Sequence, residues 1–154
     1  PQVKWNGYVR QVSDSIYHLQ RGNIFRFGDI TAFVMGGGYS IDKASRTLGQ
    51  SWWPEEMPSY SQYKRAQKNL EKYGRAVTHI LSHTCSNKMF KVLLDRFDMQ
   101  EKLSSEERPL RDFFDIVEHD VTFKQWHFGH YHKDYSYRDR FFCHYNAKPL
   151  LLEA

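Results

Sequence analysis

The aromatic run Trp126-His127-Phe128-Gly129 ends in two histidines one residue apart, His130 and His132, and a third, His83, closes an apolar segment upstream. In an extended segment side chains alternate between faces, so His130 and His132 would project to the same side. Gly129 would let the backbone bend sharply or approach a ligand closely. Two imidazoles converging on one point are nitrogen donors for a divalent metal such as zinc, iron, manganese or nickel. An edge strand whose histidines merely alternate has the same spacing, so spacing alone leaves both readings open. His79 and His83 form an HxxxH pair, which on a helix would face one zinc. Their segment, Ala76-Val77-Thr78-His79-Ile80-Leu81, is short, carries β-branched residues and follows Gly74, so it reads as a strand. His83 then falls at the strand's carboxyl end, where open α/β sheets place ligands, and His79 packs in the interior. His83 is the candidate ligand, and His79 is not.

Two further stretches carry chemical potential. Gly36-Gly37-Gly38-Tyr39-Ser40 follows an apolar strand and would bring bare backbone near a ligand. It lacks the Lys-Ser/Thr continuation of a phosphate-binding P-loop and has no long helix directly after it, so a structural turn is the better reading. Ser51-Trp52-Trp53-Pro54-Glu55-Glu56-Met57-Pro58 is a rigid aromatic loop. Adjacent tryptophans on a strand cannot both face one core, so one of them would cover a site or a partner, although core packing is the commoner use of Trp.

The elements that must position these residues follow from periodicity. Residues 15–36 read as antiparallel strands: Ile16 to Gln20 alternate, Arg21-Gly22-Asn23 turns, and Ile24–Phe27 meets Ile30–Met35 across Gly28-Asp29, a two-residue loop suited to a II′ turn. A short helix start is expected over 40–43, with Asp42 as its cap. Ser59 caps a helix to Tyr73 that Gly74 ends, with Tyr63, Ala66, Leu70 and Tyr73 on one face. Within 87–107, Phe90, Val92, Leu93, Leu94 and Phe97 suggest a helix, and Ser104 to Glu107 a loop or cap. Pro109 opens the clearest helix, with Leu110, Phe113, Phe114 and Val117 at i, i+3, i+4 and i+7. Strands over Thr122–Phe128, Arg140–Tyr145 and Lys148–Leu152 complete a layered α/β pattern. The opening residues, Pro1 to Gly7, give no clear element and read as mid-protein sequence.

The composition allows one domain. The chain has 154 residues, 40% of them hydrophobic, enough to fill a core of that size. Aromatics at 16% argue against disorder. A net charge of +4 mildly favours anionic ligands, but Lys and Arg are dispersed and mark no nucleic-acid stripe. Cys85 and Cys143 are far apart and read as free thiols of a reducing cytoplasm. No apolar run is long enough for a membrane span, and no signal peptide is evident.

A strand ending in a lone histidine, then a helix, then a strand ending in Gly129-His130-Tyr131-His132 resembles the C-terminal half of calcineurin-like metallophosphoesterases. Arg21-Gly22, Gly37 to Lys43, Arg46, Ser51 to Glu56 and Pro58-Ser59 resemble a bacterial or phage-type branch of that family, in the right order along nearly the whole chain. The resemblance implies the fold class: one half of a four-layer α/β/β/α sandwich, a mixed sheet with helices packed outside. It makes residues 1–154 a single partial domain. It further implies hydrolysis of a phosphate mono- or diester by metal-activated water at a site for two divalent ions, manganese first, with iron or zinc as alternatives. His83 and His130 would ligate one metal and His132 the other. Two such ions about 3.5–4 Å apart bind a bridging hydroxide and stabilise in-line displacement, so no Ser or Cys nucleophile is required. Tyr39, Ser40 and Tyr131 are candidates to line the substrate pocket, with Trp52 and Trp53 beside them.

The departures from the family are specific. Its Asp-x-His, Gly-Asp-x-x-Asp and Gly-Asn-His-Glu or Gly-Asn-His-Asp motifs are absent. Gly28-Asp29 has Ala32 where the second Asp belongs, Gly22-Asn23 precedes Ile24, and no histidine follows an Asp by two residues. The expectation is a fragment that is inactive alone, completed by a missing N-terminal half or a second copy of the chain. Exposed sheet edges would then favour dimerisation or strand exchange. Nucleic acid enters only as a possible substrate. Two other classes compete: a basic, aromatic module that binds nucleic acid by phosphate contacts and stacking, and a protein-docking subunit with structural histidines.

Overall fold

The computed structural model describes residues 2–40, 42–99, 105–146 and 152. The opening residues, for which the sequence reading gives no clear element, form β1 (Gln2–Lys4) and β2 (Gly7–Gln11), which pair antiparallel with β3 (Tyr17–Leu19) in a small sheet. The β1–β2 turn places both Trp5 and Asn6 at positive φ, +50° and +66°. Asn is common in that region and Trp is not, so the Asn6-Gly7 turn dipeptide marks the place, but the loop itself falls one residue earlier, on Trp5-Asn6, with Gly7 already paired to Lys4. Ring contacts to Tyr17 and Phe27, at 5.3 and 5.2 Å, hold the Trp5 side chain there.

The main sheet begins with the expected hairpin of β4 (Asn23–Phe27) and β5 (Ile30–Met35), with Phe27 paired to Ile30 across Gly28-Asp29. Gly28 alone takes a positive φ, +61°, in keeping with the II′ geometry. The chain then passes through α1 (Tyr60–Lys72), β6 (His79–Ser82), α2 (Asn87–Phe97), α3 (Arg108–Asp120) and β7 (Gln125–Phe128). It returns through β8 (Tyr135–Tyr137) and β9 (Phe141–Cys143). The six strands lie in the order β4-β5-β6-β7-β9-β8, with β5, β6, β7 and β9 parallel and the outer two antiparallel. This is a mixed α/β fold with a six-stranded sheet and three helices among the described residues.

Alternation along the strands sorts the core into two layers. Phe33, Met35, Ile80, Trp126, Phe128 and Phe141 pack with Ala66 and Leu70 of α1, Met89, Phe90 and Leu93 of α2, and Leu110, Phe114 and Val117 of α3. On the opposite face Phe25 and Val34 meet Val9, with Tyr17, Leu19, Phe27 and Leu81 around them, so the small sheet covers the β4–β5 side.

Several expectations need correction. The side chain of Asp42 makes no capping hydrogen bond to the short 3-10 helix at Lys43–Ser45, and pairs instead with Arg46 at 2.7 Å. The strand expected over Arg140–Tyr145 is only Phe141–Cys143, and it is preceded by the unforeseen β8. Residues 148–151 of the last expected strand and Ser104 lie outside the described residues.

Candidate functional site

Three carboxyl ends of neighbouring parallel strands converge at one place. Gly36-Gly37-Gly38 leaves β5, His83 follows β6, and Gly129-His130 follows β7. The loops are tied by a Gly129 N–H bond to the His83 carbonyl at 3.0 Å. His83 Nε2 and His130 Nδ1 then lie 3.2 Å apart, with ring centroids at 4.9 Å and planes at 71°. Two nitrogens bound to one tetrahedral zinc lie about 3.3 Å apart, so this pair fits one edge of such a site. Gly38 makes the approach possible: a Cβ there would stand 2.8 Å from His83 Cδ2 and 3.2 Å from His130 Nδ1. Desolvation first, and then the neighbouring His130, hold the His83 pKa below its ordinary value, against an opposing pull from Glu107. For His83 this favours the neutral form that a metal ligand needs.

The route to this geometry differs from the sequence expectation. The segment after Gly129 is not extended, because His130 and His132 both have positive φ, +71° and +53°. Alternation therefore does not put the two histidines together. His130 turns inward to His83, while His132 is exposed, with its ring 5.0 Å from Tyr145. Among the described residues no three His, Cys, Asp or Glu side chains are grouped to hold a metal. The chain supplies one two-nitrogen edge, with His132 set apart from it.

The pocket candidates separate in the same way. Tyr131 belongs to the core: its ring stacks on Phe90 at 5.2 Å and its hydroxyl meets Thr84 Oγ1. Tyr39 and Ser40 are half-buried just beyond Gly38, and the Lys43 ammonium lies over the Trp52 ring at 4.2 Å. Trp53 is 48% exposed. A cleft of ≈ 340 Å³ opens beside His83, lined by Arg21, Gly36, Ser82 and the β3 strand. Arg21 donates to the Glu55 and Glu56 carbonyls at 2.7 and 3.0 Å, which ties the tryptophan loop to the start of β4. Both cysteines are free and buried, and burial raises both thiols, Cys143 to about 11, so neither is a ready nucleophile. His79 is 1% exposed, inside its strand as expected.

The sequence reading missed Glu107 and Arg111. Glu107 is the N-cap residue of α3, but its side chain caps nothing. Oε1 instead accepts the Tyr39 N–H at 3.1 Å and lies 3.2 Å from His130 Nε2. Oε2 lies 3.8 Å from Nε of Arg111, which is 1% exposed. Burial alone would raise the Glu107 pKa; the hydrogen bond and charge of His130, the Tyr39 N–H and the Arg111 cation outweigh it and hold the carboxyl below its usual value. The available signal was the row Glu107, Leu110, Arg111, Phe114, which puts an acid and a base on the apolar face of α3.

No family model, curated protein or solved structure matches the chain.

Proposed function

We propose that this chain is the C-terminal part of a metal-dependent phosphoesterase domain, with its mixed sheet as one half of an α/β/β/α sandwich. His83 and His130 hold one divalent metal, and His132 serves a second. The observation that carries the reading is the 3.2 Å approach of His83 Nε2 and His130 Nδ1 beneath a bare Gly38. That arrangement sits at the strand ends where α/β sheets bind ligands, and it falls on the motif positions that resemble the family. Bound metal would supply the acidified water and the charge that phosphate-ester hydrolysis needs. The chain's own residues place the two nitrogens, Gly38 keeps a side chain clear of them, and Arg21, which lines the cleft, ties down the tryptophan loop. The remaining ligands, carboxylates among them, come from outside this sequence, from a preceding segment or a second chain.

Metal content per chain, after equilibration with manganese and removal of the excess, tests this. One weakly held ion is expected, abolished by His83→Ala. Two tightly held ions on this polypeptide would overturn the incomplete-site reading, and uptake that survives His83→Ala would overturn the ligand assignment.

A further inference from the structure

We propose that Glu107 is a positioning residue for His130, fixing the imidazole as the Nε2–H tautomer so that the Nδ1 lone pair faces His83, with buried Arg111 as the cation that holds the carboxylate in place. The proposal rests on the metal reading above.

The two ring nitrogens of His130 have separate tasks. Nδ1 lies 3.2 Å from His83 Nε2, and Nε2 lies 3.2 Å from Glu107 Oε1. An ionised carboxylate can only accept, so a neutral His130 must carry its proton on Nε2. A carboxylate behind a metal-binding imidazole orients the ring and raises its basicity. The geometry also places Glu107 outside the ligand set, because a cation between His83 and His130 would lie across the ring from the carboxylate. Glu107 is 4% exposed and therefore needs compensation. Arg111 supplies it from one helical turn on, with its guanidinium 4.8 Å over the Phe90 ring. Arg111 Nε and Nη1 have no hydrogen-bond partner, so its tie to the site is charge rather than hydrogen bonding at those atoms. Because Oε1 also takes the Tyr39 N–H, one carboxylate fixes both the imidazole and the loop carrying Gly38.

The full chain labelled with ¹⁵N-histidine, metal-free at pH 8, is the material for the test. Long-range proton–nitrogen spectra, with His130 assigned from its absence in His130→Asn, report the tautomer, and zinc titration reports affinity. The expected result is Nε2–H at His130 in the unaltered chain. In Glu107→Gln that preference is lost and zinc affinity falls about 10–100-fold. Nδ1–H or a mixed tautomer in the unaltered chain overturns the proposal, and this measurement stands even where the variant fails to fold. A folded Glu107→Gln that keeps both tautomer and affinity overturns it equally. No zinc uptake by the unaltered chain overturns the metal reading, while the nitrogen spectra still decide what Glu107 does.

Discussion

His127 shows how much a single residue's setting decides. Its neighbours Trp126 and Phe128 face the helices, so it faces the other side of the sheet. There it stacks on Phe142 at 4.9 Å and on His144 at 5.3 Å, with Nδ1 3.0 Å from His144 Nε2. Burial first, then His144 and His79, push its pKa down to about 4. A folded-state value below the unfolded one means that the unfolded chain binds the proton first. Stability should therefore be intact above about pH 6.5 and fall as pH drops towards 4, by an amount on the order of 3 kcal/mol for this group. His79, also lowered by burial, pulls in the same direction. Urea unfolding at stepped pH should show this slope, and His127→Phe should flatten it. An unchanged slope in the variant would assign the acid sensitivity to other groups.

At the scale of elements, α1 shows what local sequence can specify. Ser59 Oγ accepts the Gln62 N–H and Gln62 Oε1 accepts the Ser59 N–H, closing a capping box at the end of the tryptophan loop. Ser59→Ala should cost about 1 kcal/mol, read as a lower urea midpoint at unchanged m-value. Elements with such signals were legible: the Gly28-Asp29 hairpin, α1, the apolar stripe of α3, and His83 at the end of β6. Those set by distant contacts were not. The β1–β2 turn depends on rings from β3 and β4 around Trp5, and His130 is aimed by a left-handed backbone that a period-2 reading cannot anticipate. Glu107 was hidden differently, because a carboxylate at a helix start reads as a cap until Tyr39 and His130 arrive from far along the chain. Half of the site was therefore readable as histidines, and its supporting carboxylate only as geometry.

For the whole molecule the question is what its exposed surfaces meet. The three helices pack on one face of the main sheet, and the small sheet covers the β4–β5 side of the other. The small sheet and its β2–β3 loop expose apolar side chains: Val3 of β1 is 68% exposed, and Val12 and Ile16 of the loop are 65% and 59% exposed. Exposed apolar side chains at the β2–β3 loop, Val12 and Ile16, which are joined by a backbone hydrogen bond, are the candidate association surface. On the proposed metal reading, ligands beyond His83 and His130 would have to come from another chain or segment, and a partner copy is one source of them. A second copy of the chain is the partner that a purified sample always contains. The expectation is a concentration-dependent rise in apparent mass in solution scattering, reduced by Val12→Lys with Ile16→Lys, which place charge on the exposed face without touching His83 or His130. Zinc uptake measured on the same samples separates two roles for the partner. Uptake that falls with the dimer means that the second chain contributes ligands, whereas uptake that stays constant leaves the apolar sheet as a packing surface only. A monomer at high concentration, with zinc uptake unchanged, would remove the second copy both as a packing partner and as a source of ligands.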